Sequence, residues 1–381
     1  MKCFENSLCY VYKKGIVRTD ILFDDKIVGF CRDGKCAEYI DIPKDAVIVP
    51  GFIDEHIHGA GGADAMDASE NALETIADTL LKEGTTGFLA TTMTQSEEKI
   101  MNALIAAGKY ISGKKESGAS LLGVHLEGPF ISEKHKGAQS EKYIVSPDIA
   151  TFKKYYVASG KNIKIVTVAP ECEGAGELTE YLSGIGVAAF AGHTGAKYDD
   201  IKRAMERGLK GVTHTYNAQS ALHHREIGTV GAALLEDGLS AELIADTIHV
   251  SVPAIKLLLK SKPHEKLTLI TDSIRAKGLC DGESELGGSV VIVKNGEARL
   301  KDGTLAGSVL KMNIAVKNMV EKAGASFTDA VDFATINPAK NIGLDEKIGS
   351  IEIGKNADFT VLDNEFNVVM TVRGGNILFR A

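Results

Sequence analysis

No CxxC pair occurs among the six cysteines of this 381-residue chain (Cys3, Cys9, Cys31, Cys36, Cys172 and Cys280), which excludes the paired-thiolate spacing of zinc ribbons and thioredoxin-like sites. Thiols scattered in this way are expected to be reduced, and Cys31 and Cys36 bracket a predicted Arg-Asp-Gly-Lys turn at a spacing too weak to carry a role. No apolar run reaches the roughly 18 residues needed to cross a bilayer. The start MKCFENSLCYVYKKG lacks the uninterrupted apolar core of a secretion signal, so a cytoplasmic protein is expected. An excess of positive charge is missing too: 43 basic against 51 acidic residues leave a net charge of −8. That balance offers no global attraction for nucleic acid or an anionic membrane, and an anionic substrate would need a local cationic pocket. Neither an internal repeat nor a low-complexity segment is visible.

What is present is a large apolar content, 44%, arranged in short runs that end on chemically versatile polar residues. Runs at 52–58, 87–92, 121–127, 164–169, 187–193, 211–215, 241–246 and 267–272 read as buried strands. At or near their C-terminal ends stand His56, His58, Glu127, His193, His214, His249 and Asp272. Eight strands with the chemistry repeatedly at one end predict a (β/α)8 TIM-like barrel with its active site on one rim. Helical patterns fall between them at 72–82, 97–111, 146–159, 178–182, 198–206 and 253–260, several closed by a glycine such as Gly84, Gly160, Gly184 or Gly208. A β-like insertion at 288–300 precedes the last barrel helix at 309–322, and a further helix is expected at 328–335.

Both ends of the chain have a different texture. Short β-prone runs at 8–12, 16–23, 26–31 and 37–42, and again at 349–353, 358–362, 368–372 and 376–379, alternate with turn signals. They predict one small β-sandwich domain built from residues 1–50 and 346–381, flanking a catalytic barrel at 51–345.

His56-Ile57-His58 ends an apolar strand, where alternation turns both imidazoles to one face and lets them converge on one ion. Any one of these residues alone reads as a polar group satisfied at the barrel mouth. Five together, His56, His58, Glu127, His193 and His214, read as a carboxylate-plus-imidazole hydrolytic metal site. Such donors suit divalent Zn, Fe, Mn or Co. Asp272 fits a general base, with a further metal ligand or a capping residue as alternatives. His249 fits a contact to a substrate hydroxyl or carbonyl, with a helix N-terminal histidine as its alternative.

The segments PGFIDEHIHG (50–59), HLEGPF (125–130), APE (169–171), GHT (192–194), THTYNA (213–218), LHHRE (222–226), LIADTIH (243–249), LITDSIRAKG (269–278) and DGTLAGS (302–308) resemble the amidohydrolase superfamily. Within it the chain is similar to the N-acetylglucosamine-6-phosphate deacetylases over nearly its whole length. The resemblance implies a metal on Glu127, His193 and His214, with the retained His56 and His58 making a second ion plausible. It implies Asp272 as catalytic acid and base, and a substrate site at Ala138, Asn217, Ala218, Arg225, His249, Leu305, Ala306 and Gly307, where Arg225 takes the sugar phosphate. A homodimer acting on a phosphorylated amino sugar is implied as well, with neither a nucleic-acid nor a membrane partner.

Three departures stand out: Ile227 replaces a usual proline, Gln219-Ser220 a frequent methionine, and Gln139 a common histidine. The last is expected to leave carbonyl polarisation to the metal and His249, an amide being the weaker electrophile. The alternatives are the galactosamine-6-phosphate counterpart, a cyclic-imide hydrolase or dipeptidase, and a non-catalytic scaffold. The second is disfavoured because the only lysine of the fourth strand, Lys164, stands at its beginning instead of at its metal-facing end.

Overall fold

The computed structural model describes residues 1–30 and 36–381, so Cys31 and the expected turn at 32–35 lie outside the described residues. Eight parallel strands pair in chain order: β1 (Phe52–Ile57), β2 (Thr85–Thr91), β3 (Ser120–Glu127), β4 (Ile163–Val168), β5 (Ala188–Ala191), β6 (Leu209–Val212), β7 (Ser240–Ile244) and β8 (Leu267–Ile270). Parallel neighbours require crossovers, and helices supply them on the outside, as expected for a (β/α)8 barrel. The helix Glu70–Leu81 shows how the sequence does this. Ser69 caps it by accepting from the amide of Ala72, while Leu73, Ile76, Ala77 and Leu80 recur at helical spacing and are buried.

The β8–β1 junction carries no strand ladder in the sheet order. It is closed instead by the Asp272 amide donating to the His56 carbonyl at 2.9 Å and the His58 amide to the Ser273 carbonyl at 2.9 Å. The Asp54 carboxylate adds bonds from the Thr271 amide (3.2 Å) and hydroxyl (2.5 Å). Beneath it the fully buried Lys277 pairs with Glu83 at 2.6 Å. The same backbone contacts that close the barrel therefore set His56, His58 and Asp272 side by side.

The two chain ends form one sheet, ordered 376–380, 368–373, 359–362, 47–50, 2–11, 15–23 and 27–29, with 38–39 beside 2–11. The joint is Val47–Pro50, antiparallel to Phe359–Leu362 and not anticipated from sequence. One face packs around Phe4, Phe23 and Phe359, whose ring centroids lie 5.0–5.7 Å apart. The other meets barrel helices through Tyr10, Val49, Leu362 and Val368.

Three local expectations need correction, and one helix has no counterpart among them. The run 349–353 is not a strand: Ile351 is buried in the terminal core, but Ile353 is exposed and the period-2 pattern finds no partner strand. The helix Gly228–Leu235 was not legible, because GTVGAALL offers no polar face and six of its residues are buried. The last barrel helix is shorter, Met312–Asn318, and passes into a π-helical turn, Met319–Ala323. The insertion is a three-stranded antiparallel sheet, Gly282–Leu286, Ser289–Lys294 and Glu297–Leu300, beginning earlier than expected.

Candidate metal centre

β1 shifts register between Asp54 and Ile57. Ile57 packs outward with the barrel helices, while His56 and His58 both turn into the barrel, as the HxH spacing predicts. Glu127 is the last residue of β3. β5, β6 and β8 stop earlier than their apolar runs, so His193, His214 and Asp272 stand just past the strand ends. All three adopt left-handed backbone, with φ of 47°, 32° and 47°. Such conformations cost a non-glycine residue on the order of 1–3 kcal/mol and persist where surrounding bonds over-determine them. Here the His193 carbonyl accepts from the Ser132 amide at 2.9 Å and the Asp272 carbonyl from the Ser308 amide at 2.8 Å.

The side chains converge on Glu127. Its Oε1 lies 3.1 Å from His193 Nε2 and 3.0 Å from His214 Nε2, and those two nitrogens are 3.1 Å apart. Its Oε2 lies 3.2 Å from His58 Nε2, which is 3.2 Å from Asp272 Oδ1. His56 Nε2 is 3.4 Å from Glu127 Oε1 and 3.6 Å from Asp272 Oδ1. Two donor sets reach the cavity, Glu127 with His193 and His214, and His56 and His58 with Asp272, joined through the Glu127 carboxylate, while a third group, His56 with His125 and Glu242, lines none of it.

These residues fit a divalent ion. Ligand bonds of roughly 2.0–2.1 Å in a tetrahedral site put neighbouring donors about 3.3–3.4 Å apart, close to the separations found. Three of the four imidazoles are oriented from behind, while the His214 Nδ1 has no hydrogen-bond partner among the described residues. His58 Nδ1 faces the Thr91 carbonyl at 3.3 Å, His193 Nδ1 the His135 carbonyl at 3.0 Å, and His56 Nδ1 the Glu242 carboxylate at 3.1 Å. Carbonyls and carboxylates only accept, so in these three each Nδ1 carries a hydrogen and Nε2 is the atom left to face a metal. The His56 Nε2, fully buried, has no hydrogen-bond partner among the described residues.

The electrostatics agree with a cation site. Burial pulls the His56 imidazole down, but Glu127, Asp272 and Glu242 outweigh it and hold it well above its ordinary value. His58 is raised to about 10 by the same balance, burial against bonds to Asp272 and Glu127. Burial pushes Glu127 up, yet His56, His193 and His214 bring it well below the usual carboxylate range. Asp272 likewise falls to about 2 despite burial, because of His56 and His58. The carboxylates are thus ionised and the imidazoles of His56 and His58 bind protons where a metal would compete for the same lone pairs. The low value of Asp272 depends on imidazolium charge, a source that disappears when His56 and His58 act as neutral ligands.

Above these groups opens a cavity of about 360 Å³, lined by His58, Glu127, His193, His214 and Asp272 and by the expected substrate residues Ala138, Asn217, Ala218, His249, Leu305 and Gly307. Gly307 has φ +60°, and a Cβ there would come within 2.5 Å of Ile274 Cγ2 and 2.9 Å of the Asp272 carbonyl, so the loop reaches the base only as glycine. His249 is held by Asp246, whose Oδ2 is 2.6 Å from Nδ1. Two expected substrate residues are placed elsewhere. Ala306 is fully buried in the apolar cluster under the insertion sheet. Arg225 is exposed on the 221–226 loop with Nη1 2.7 Å from His224 Nε2.

Residues outside the expected ligand and substrate sets also shape the site. Lys134 and His135 line the cavity, as do Met93, Leu286 and Thr304. Gln139 spends both ends of its amide inside the protein, Nε2 donating to Glu127 Oε2 at 2.8 Å and Oε1 accepting from the Thr94 amide at 2.7 Å. It therefore orients a ligand and leaves carbonyl polarisation to other groups. Glu242 and His125, both fully buried on barrel strands, lie directly beneath His56. The signal for them was available: a charged residue inside an apolar strand, and a histidine two positions before Glu127 on the same face.

Comparison with known proteins follows the same lines. The Amidohydrolase family model matches residues 47–378. The N-acetylglucosamine-6-phosphate deacetylase of Bacillus subtilis (strain 168) is 46% identical over 342 residues, covering 89% of this chain and 86% of its own. That of Lysinibacillus sphaericus is 40% identical, covering 87% and 85%. The crystal structure of the N-acetylglucosamine-6-phosphate deacetylase from Thermotoga maritima superposes with a TM-score of 0.90 at 40% identity, covering both chains fully.

Proposed function

The chain belongs to the amidohydrolase family, and on that premise we propose that it is an N-acetylglucosamine-6-phosphate deacetylase, releasing acetate and glucosamine 6-phosphate. The observation that carries the reading is the Asp272 carboxylate lining the cavity, its Oδ1 3.2 Å from His58 Nε2, which is also 3.2 Å from Glu127 Oε2. The family implies a divalent metal, and the two donor sets support two ions, of Zn, Fe, Mn or Co. When bound, such ions polarise a carbonyl and lower the pKa of water.

The chain's own groups do the rest. Asp272 takes a proton from the attacking water on a carboxylate oxygen and returns it to the departing amine, so that no charged amide nitrogen has to leave. His249, with Nδ1 committed to Asp246, presents Nε2 to a sugar hydroxyl. Asn217, Ala218 and Ala138 line the sugar site with Leu305 and Gly307. Arg225 supplies a planar donor fork for the phosphate, remote from the reacting bond, so its binding energy orients the acetyl group. A homodimer and a cytoplasmic site of action belong to the same proposal. No helix among the described residues is long and apolar enough to cross a membrane.

Arg225→Ala is expected to raise KM for the phosphorylated sugar by about 10- to 100-fold, the worth of one or two charge-assisted hydrogen bonds. Steady-state kinetics on the phosphorylated and unphosphorylated N-acetyl sugars check this. An equal loss on both would remove Arg225 from the phosphate.

A further inference from the structure

Beneath the cavity, Glu242 makes a pair of contacts that neither the deacetylase reading nor the ligand assignments use. It sits in the middle of β7, fully buried, and one oxygen, Oε2, carries both contacts. The first is His56 Nδ1 at 3.1 Å; the second is the backbone amide of His214, also at 3.1 Å. The Glu242 carbonyl meanwhile accepts from the Thr215 amide at 2.8 Å. The other carboxylate oxygen, Oε1, has no hydrogen-bond partner among the described residues, with His125 Nδ1 3.9 Å away and already facing the Glu55 carbonyl at 3.1 Å.

The two donors on Oε2 belong to different donor sets. His56 belongs with His58 and Asp272, and His214 with Glu127 and His193. His214 is also the residue with left-handed backbone at φ 32°, and its amide needs an acceptor in that conformation. We propose that Glu242 is a positioning residue that couples the two half-sites: it orients His56 and fixes its tautomer through the imidazole, and holds the turn at His214 through the amide. The inference rests on the two-ion reading above. Glu242 does not line the cavity; it acts on both half-sites through the ligands.

The two contacts differ in what they require. The His214 amide needs only an oxygen acceptor, which glutamine retains. The His56 contact gains from negative charge, which raises the basicity of the imidazole and which glutamine lacks. The two half-sites should therefore respond differently to two substitutions at one position.

The test uses the full-length chain freed of metal by a chelator and titrated with Co2+, reading uptake per chain and the visible absorption of each site. Wild type is expected to take up two ions. Glu242→Gln should weaken the His56–His58 ion by about 10- to 100-fold, the usual cost of losing a group that supports a ligand, and leave the other at wild-type affinity. Glu242→Ala should weaken both ions, whereas His56→Asn should weaken one. A merely structural role would not let glutamine rescue one site and fail the other. Uptake of both ions by Glu242→Gln at wild-type affinity overturns the proposal, and that variant decides alone if Glu242→Ala does not fold. A wild-type chain that takes up one ion, unchanged in His56→Asn, overturns the two-ion reading itself. That result is seen before Glu242 is altered, so the two failures are distinguishable.

Discussion

Asp272→Asn is expected to lower kcat by about 10²–10⁴-fold, the range for a group that transfers a proton in the transition state, while metal content per chain stays near the wild-type value. Asparagine has the same shape and keeps an oxygen that can face His58, which lies 3.2 Å from Asp272 Oδ1. The backbone bonds that place residue 272 do not involve its side chain: its amide donates to the His56 carbonyl and its carbonyl accepts from Ser308. What the substitution removes is the capacity to hold a proton. Metal analysis and deacetylation kinetics on one preparation separate the roles. Loss of rate with metal retained identifies a base, whereas loss of an ion in parallel with rate identifies Asp272 as primarily a ligand.

The second large effect is expected at Glu127. Its two oxygens serve both donor sets, Oε1 beside His193 and His214 and Oε2 beside His58. Glu127→Ala should therefore leave the purified chain with little or no bound metal at either set, unlike the loss of a single histidine. With the ions go several kcal/mol of transition-state stabilisation, about a 10³-fold or greater fall in turnover. It also strands the Gln139 amide, which donates to Oε2 at 2.8 Å, so some loss of order in the 136–140 loop should accompany it. Atomic absorption on the variant checks the claim. Full retention of one ion would mean that Glu127 belongs to one set alone.

Much of this centre was legible because its parts obey local rules. His56 and His58 share a strand face by period alone, and Glu127 ends an apolar run. The resemblance then gave roles to residues such as Asn217, Leu305 and Gly307, which the structure brings to one cavity. What could not be read depends on packing between distant segments. The left-handed turns at His193, His214 and Asp272 lie in positions that periodicity extends as strand, and only the folded contacts overrule it. Glu242 could be seen as an acid in an apolar strand, but its partners lie 28 and 186 positions away. The helix Gly228–Leu235 escaped because a segment buried on most sides has no polar stripe to betray its period. Arg225 rests on the motif alone: it stands on an exposed loop beside His224, outside the residues that line the cavity.

The central claim is tested most directly by measuring acetate release from N-acetylglucosamine 6-phosphate, with metal per chain determined on the same sample and N-acetylgalactosamine 6-phosphate run alongside. The account predicts acetate and glucosamine 6-phosphate in equal amounts, loss of activity on chelation, recovery with a divalent ion, and faster turnover of the gluco epimer. A metal-replete, folded chain that releases no acetate from this substrate would contradict it.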